Sequence, residues 1–298
     1  MSSGTSSITI SANKDISLNA TENSKAGFEI TIPDKYSIST LRLQDYYLKA
    51  EQINCLPNLT QLYFDSKTDY NLSFLSNFKG KLSRLILGST SKAIGDMQYF
   101  VDALLTPGDN TIYISFGQAC TNIEGDVAMF EPVASSLISC PLFYNTSMYG
   151  DITNILNLTK ANLNADYTNT NTILNFDNYK IAPTAAKLYY SRGIVTGDLS
   201  KLSSLVYGVH GKVGSKCSWS SETARASSSY IIGMDYSIDF GDDLDNMLIN
   251  QAKCQLYPNA QSYIKAIVAT GNRTSKSDAA IETLRAKGIT VTVPEAKS

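Results

Sequence analysis

Leu59-Thr60-Gln61-Leu62-Tyr63-Phe64 has a counterpart further along the chain in Leu82-Ser83-Arg84-Leu85-Ile86-Leu87. The frame L-x-x-L-x-L common to both also occurs upstream, at a similar spacing, as Ile38-x-x-Leu41-x-Leu43. Alternation at the second and third apolar positions is the signature of a strand with one buried face. A strand recurring at a period between about 20 and 50 residues marks a chain built of stacked modules, none of which can bury its apolar face alone. Looser copies continue at Ala134-x-x-Leu137, Leu158-x-x-Ala161-x-Leu163, Ala185-x-x-Leu188-x-Tyr190 and Leu202-x-x-Leu205-x-Tyr207.

A second marker recurs between these frames. Gly95-Asp96-Met97, Gly125-Asp126-Val127, Gly150-Asp151-Ile152 and Gly197-Asp198-Leu199 share it, and Asp243-Leu244 follows Gly241. Asn71-Leu72 and Asn175-Phe176 stand as degenerate copies. Apolar residues lie one and four positions after the acid, as in Met97/Phe100, Val127/Phe130, Ile152/Ile155, Leu199/Leu202 and Leu244/Met247, a spacing that describes one inward-facing helical turn. Glycine permits a tight turn with positive φ, and the following carboxylate can accept hydrogen bonds from the unpaired N–H groups that open the next turn. Each module therefore reads as a short strand, a Gly-Asp corner and a short helical or irregular return. The competing use of these acids is cation binding or acid/base chemistry, for which Asp242, Asp243 and Asp245 are the densest group; the recurrence of the apolar partners with the acid favours capping.

The ends of the chain read differently. Ile8-Thr9-Ile10, Ile16-Ser17-Leu18 and Phe28-Glu29-Ile30-Thr31-Ile32 alternate with period two outside the repeat, which predicts two or three antiparallel strands over residues 1–37, serving either to cap the stack or to attach it to another subunit. Residues 38–298 form the repeat array. Its last part predicts a strand over 263–268, a helix capped by Ser277 and running to about Lys287, a stop at Gly288, and a strand over 289–293.

Composition sets further limits. In a chain of 298 residues, charged side chains make up 17%, below the usual 25% or so, and 25 basic against 27 acidic residues leave a net charge of −2. A nucleic acid or an anionic membrane would have no basic excess to meet. No apolar run approaches the roughly 18 residues needed to span a bilayer. The start of the chain has no cationic stretch followed by an apolar run, so synthesis in a cytosol is expected. Cys55, Cys120, Cys140, Cys217 and Cys254 contain no C-x-x-C pair and are expected to be core thiols.

Signals for chemistry are sparse. His210 is the only histidine; without an identifiable partner it reads as structural. Gly208, Gly211 and Gly214 are spaced as turn residues and lack the strand-to-helix context of a phosphate loop. Glu124, Asp126 and Glu131 read as solvated acids. No catalytic residue, cofactor or metal site is assigned. The 18 tyrosines are divided between core packing and contact; Tyr46-Tyr47, Tyr144, Tyr149 and Tyr189-Tyr190 are the candidates for an outward-facing contact surface.

The L-x-x-L-x-L frames together with the G-D-[MVIL]-x-x-[FIL] corners resemble the divergent leucine-rich-repeat proteins of gut Bacteroidales and of the phages that infect them, over residues 38–293. The Asn or Cys that such repeats carry three residues after the last frame position is replaced by Tyr46, Lys67 and Thr90, so the units should be irregular. The resemblance implies an α/β fold, an irregular solenoid of parallel strands with short returns. It further implies a non-enzymatic role as a virion structural or appendage protein in a head or tail fibre, homo-oligomeric and in contact with other virion proteins or a host surface glycan or protein. The alternatives are a bacterial cell-surface adhesin and a carbohydrate-active enzyme on a β-solenoid.

Overall fold

The computed structural model of the chain describes residues 6–9, 16–19, 28–31, 39–46, 58–66, 69–88, 92–104, 112–116, 120, 122–137, 147–158, 164–166, 171–180, 189–202, 208–258 and 265–297. The chain divides into two compact units, Met1–Tyr149 with Leu158–Ala161, and Gly150–Asn157 with Asn162–Ser298.

The first unit contains β1 (Ser6–Thr9), β2 (Ile16–Asn19), β3 (Phe28–Thr31), β4 (Thr40–Tyr46), β5 (Gln61–Ser66), β6 (Asp69–Asn71), β7 (Arg84–Leu87), β8 (Lys92–Asp96), helix α1 (Gln98–Ala103), β9 (Tyr113–Ser115), β10 (Asn122–Asp126), α2 (Glu131–Ala134) and the opening residues of β11 (Ser147–Asp151). The L-x-x-L-x-L frames lie in one parallel sheet of order β2-β4-β5-β7-β9. Leu41 is in register with Leu62, Leu62 with Leu85, and Leu85 with Ile114, so the second frame position forms one ladder. All four side chains are at most 1% exposed.

The Gly-Asp markers close strands of their own, where residue types alone indicate only corners. β6, β8, β10 and β11 pair successively in parallel, and a short helical segment follows each of β6, β8 and β10. After β6 the return is a 3-10 helix, Leu72–Phe78. Three residues per turn stack Leu72, Leu75 and Phe78 on one side, and all are buried. Phe64, Tyr70 and Phe74 fill the space between strand and return, with ring centroids 4.7 to 5.9 Å apart.

The expected antiparallel N-terminal strands are parallel. β1 pairs with β3, Ser6 opposite Phe28, and β2 pairs with β4, Ile16 opposite Leu41. Both offsets are close to that between Leu59 and Leu82. Period-two alternation reports only that a strand has two unlike faces; the direction of pairing is set by the partner, which here lies one repeat away rather than across a hairpin. Ile10 and Ile32 lie outside the described residues.

The second unit contains α3 (Thr153–Leu158, of which Leu158 falls in the first unit), β12 (Asn164–Asp166), β13 (Asn171–Asn175), β14 (Tyr189–Asp198), β15 (Gly208–Gly211), β16 (Lys216–Ser218), β17 (Met234–Asp239), α4 (Leu244–Lys253), β18 (Ala266–Thr270), α5 (Asp278–Ala286) and β19 (Thr290–Thr292). β13-β14-β16-β17-β18-β19 is a parallel sheet. β14 is long enough to serve two partners at each end: Tyr189–Ser191 pairs with β12 and β15, and Ile194–Asp198 with β13 and β16, with a register shift between Ser191 and Gly193. The final β18-α5-β19 unit is parallel, as the sequence predicts. Its cap is Thr274 rather than Ser277: the Thr274 hydroxyl accepts from Lys276 N at 3.3 Å, while Ser277 donates to Thr274 O.

Between Trp219 and Gly233 the chain has no regular strand, and side chains satisfy the backbone instead. Asn250 Oδ1 accepts from Trp219 Nε1 and Arg225 N, and its Nδ2 donates to Arg225 O, all at 3.0 to 3.1 Å. Gln251 bonds both polar groups of Ile232. The guanidinium of Arg225, 4% exposed, donates to Leu202 O and Tyr230 O at 3.0 Å each. Burial pushes its pKa down, against a partly compensating contribution from Cys254.

Gly197 shows why glycine precedes the acid. Its φ is +85°, and a Cβ would stand 2.7 Å from both Asn175 Oδ1 and Asp177 N of the preceding repeat. Gly197→Ala adds left-handed strain to that clash and is expected to cost at least about 2 kcal/mol, read as a lowered denaturation midpoint in urea. Arg225→Met leaves one buried and one half-buried carbonyl group without this donor and is expected to cost about 2 to 4 kcal/mol in the same measurement.

Candidate functional site

Two sets of side chains have the chemistry to act on something other than the fold: the repeated acids and the outward face of the β2-to-β9 sheet.

The acids are engaged locally. Asn71, Asp96, Asp126, Asp151, Asn175, Asp198 and Asp239 each accept, through Oδ1, the N–H two residues ahead, at 2.8 to 3.0 Å. This is the capping that the sequence favours, found also at both degenerate Asn copies. The residue next after the cap is buried: Leu72, Met97, Val127, Ile152 and Leu199 are fully covered, and Phe176 and Phe240 are 2% exposed. Several of these residues also donate their N–H across to the following repeat, Met97 to Glu124 O, Ile152 to Ile173 O, Phe176 to Thr196 O and Phe240 to Thr270 O, at 2.9 to 3.0 Å. One marker thus turns the chain, seats an apolar anchor and bonds the next module.

The densest acidic group is dispersed among different tasks. In the last marker the cap is Asp239 rather than Asp243. Asp242 accepts from Asn272 Nδ2 at 2.6 Å, Asp243 from Trp219 N at 3.0 Å, and Asp245 from the N–H and hydroxyl of Thr274 at 3.1 and 2.5 Å. Three carboxylates close in sequence therefore tie down separate backbone and side-chain donors. Asp126 is a cap, Glu124 lies exposed on β10 and Glu131 exposed at the start of α2. Among the described residues no group of three or more His, Cys, Asp or Glu side chains is arranged to hold a metal ion.

His210 is fully buried on β15, in keeping with a structural role. Cys120, Cys217 and Cys254 are buried and outside any disulfide. Burial pushes the Cys217 thiol well above its ordinary range, with Asp177 and Asp198 adding to the shift, and burial also raises Cys254 against the opposing effect of Arg225. Both are held in the unreactive thiol form. Cys55 and Cys140 lie outside the described residues. Gly214 has positive φ in the turn before β16, whereas Gly208 and Gly211 begin and end β15. A shallow cleft of about 340 Å³ beside α5 contains Arg273, Asp278, Glu282 and Arg285; its arginines are already paired, Arg273 with Asp278 and Arg285 with Glu282.

The outward sheet face is built by the same alternation that buries the Leu ladder. The frame positions between inward residues form two rows across the strands. In one, Arg42 lies opposite Tyr63, followed by Ile86 and Ser115. In the other, Thr40 is followed by Gln61, Arg84 and Tyr113. Arg42 and Arg84 are exposed. Each guanidinium lies over the ring of the tyrosine directly across the strand pair, 4.9 Å from the Tyr63 centroid and 4.8 Å from that of Tyr113. Among the described residues neither arginine forms an ion pair, and neither row contains an acid. Contact with the ring restrains each exposed cation and leaves its charge available to an external acceptor.

Of the tyrosines expected outward, Tyr149 is 51% exposed on β11. Tyr46, Tyr189 and Tyr190 lie on β4 and β14, and Tyr47 and Tyr144 fall outside the described residues. Tyr63 and Tyr113 are not singled out by the sequence pattern. Aligning the frames one beneath another exposes their shared slot with the arginines, except that the fourth frame has lost its leading Leu to Thr111 and is recognised only from the register of Ile114 with Leu85. Comparison with family models, curated proteins and solved structures finds no match for the chain. No helix among the described residues is long and apolar enough to cross a membrane.

Asp126→Ala removes the acceptor for Ala128 N and is expected to lower stability by about 1 kcal/mol, whereas Asp126→Asn keeps an acceptor and should restore most of it. Chemical denaturation of the two variants beside the parent checks this; equal losses would mean that the charge, not the cap, is what matters.

Proposed function

We propose that the chain is an irregular leucine-rich-repeat-like solenoid acting by contact rather than catalysis, as a structural or appendage protein of a phage virion. The solenoid reading is supported by the spacing of paired strands. Thr40 lies opposite Gln61, Gln61 opposite Arg84, Asp69 opposite Lys92, Thr196 opposite Lys216 and Val268 opposite Thr292, each strand meeting its counterpart one repeat further along. Arg84 opposite Tyr113 and Ile238 opposite Ala269 lengthen that step, which is the irregularity. Asn157 adds a side-chain rung between repeats, accepting from Lys180 N and donating to Asn178 O at 2.6 and 2.9 Å.

The observation that carries the non-enzymatic reading is the dispersal of Asp242, Asp243 and Asp245 to separate donors on Asn272, Trp219 and Thr274. Glycoside hydrolysis needs two carboxyl groups converging at about 5 to 10 Å on one bond, one of them able to exchange a proton. Carboxylates that hold neighbouring N–H and hydroxyl groups in place are poor candidates for that exchange. Contact is favoured by the two outward rows that set Arg42 and Arg84 on tyrosine rings with no acid among them. The virion setting, with homo-oligomeric assembly on a head or tail fibre, draws on the resemblance of the repeats; a cell-surface adhesin would use the same fold and the same face.

Mass spectrometry of purified particles is expected to detect the chain in multiple copies. Recovery from the outer surface of a bacterium and not from particles would replace the virion reading with the adhesin. A glycan-hydrolysis screen is expected to return no activity, and hydrolysis abolished by Asp242→Asn together with Asp245→Asn would replace both with an enzyme.

A further inference from the structure

We propose that the outward face of β4, β5, β7 and β9 binds a carboxylate-bearing polysaccharide, with Arg42 and Arg84 as its anion contacts. The proposal rests on the contact reading above and names the chemistry of the partner. Both arginines are exposed, both lie on tyrosine rings, and the other members of the two rows are uncharged. Neither cation is in an ion pair among the described residues, so both can attract an anion from outside.

Geometry selects among anions. A guanidinium is a planar fork that matches a planar carboxylate bidentately. β5 separates Arg42 from Arg84, and the register sets them two positions apart along the strands. Strand spacing and rise then put their Cα atoms about 12 Å apart. A chain carrying carboxylates at intervals of this order can engage both forks at once, which adds the gain of a tethered second contact.

The face disfavours a peptide. β4, β5 and β7 are each paired on both sides, so of the four strands only β9, at the end of the sheet, has an edge for strand addition. Ile86 is the one aliphatic residue in the two rows, which leaves little to seat apolar side chains. What the face supplies is flat plates and short hydroxyl and amide groups, at Thr40, Gln61 and Ser115. These suit rings that carry hydroxyl groups along with their acid.

Isothermal titration of the full chain with oligogalacturonate, oligosialic acid, methyl-esterified oligogalacturonate and poly-L-glutamate tests this. Binding to at least one carboxylated oligosaccharide is expected. It should weaken at least about tenfold in Arg42→Ala/Arg84→Ala, since each lost charge-assisted contact removes a strong bond, and weaken with added salt. Arg42→Lys/Arg84→Lys should recover only part of the affinity, because lysine keeps the charge and loses the fork. If oligogalacturonate is the ligand, esterification should abolish binding, a control independent of any variant. Neither carboxylated glycan binding, binding unchanged in the double alanine variant, or equal binding of poly-L-glutamate would each overturn the proposal. The last of these would mark the face as one for acidic peptides. None of these outcomes touches the contact reading, which fails separately if the chain hydrolyses a glycan or is found on neither particles nor cell surfaces.

Discussion

No strand among the described residues takes its hydrogen-bond partner from the sequence next to it. Among the described residues the strand pairings are parallel, and the partner is supplied from a segment roughly one repeat away. Parallel pairing forbids a tight hairpin, so the chain must leave the sheet, cross and return before it can pair again. The rest of the structure follows from that need. A buried Leu ladder fixes the register, because a shift of one position would turn Leu62 and Leu85 outward and Tyr63 and Arg84 inward. Short helical returns fill the space behind the sheets, and the Asx caps start those returns at a fixed point in each module.

The caps explain what many of the acids do in a weakly charged chain. A carboxylate or amide oxygen that holds the N–H two residues ahead stabilises a turn by about 1 kcal/mol. Because the residue after it is an apolar anchor, and in several modules also bonds the next one, the effect is repeated along the chain. Asn71 and Asn175 do the same work as Asp96 and Asp126, which shows that acceptor geometry, and not negative charge, is what the position requires. Where the markers lapse, between Trp219 and Gly233, buried Asn250, Gln251 and Arg225 supply the missing hydrogen bonds from side chains.

Function, on this reading, is what the repeat leaves over. The inward positions of each strand are constrained by packing, while the outward ones are free to vary, and over β4 to β9 they hold arginine, tyrosine and mostly uncharged polar groups. A sheet positions such groups more rigidly than a loop does, since each side chain's direction is fixed by the pleat and by the register of its neighbours. Stacking of Arg42 on Tyr63 and of Arg84 on Tyr113 adds a further restraint on two otherwise mobile cations.

The period, the apolar frame and the Gly-Asp markers are legible from residue types alone, because each reflects a local rule: alternation for a half-buried strand, glycine for positive φ, an Asx oxygen for a capped turn. Those rules place Leu41, Leu62, Leu85, Phe100 and Phe130 inside, and they are inside. Tertiary structure alone decided which strand lies beside which. It made the N-terminal strands parallel, gave the Gly-Asp segments strands of their own, and moved the last cap to Asp239. It also brought Arg42 over Tyr63 and Arg84 over Tyr113, each pair drawn from successive repeats. Side-chain periodicity is written in neighbouring residues, whereas register is set jointly by distant ones, so only the folded chain reveals which cation meets which ring.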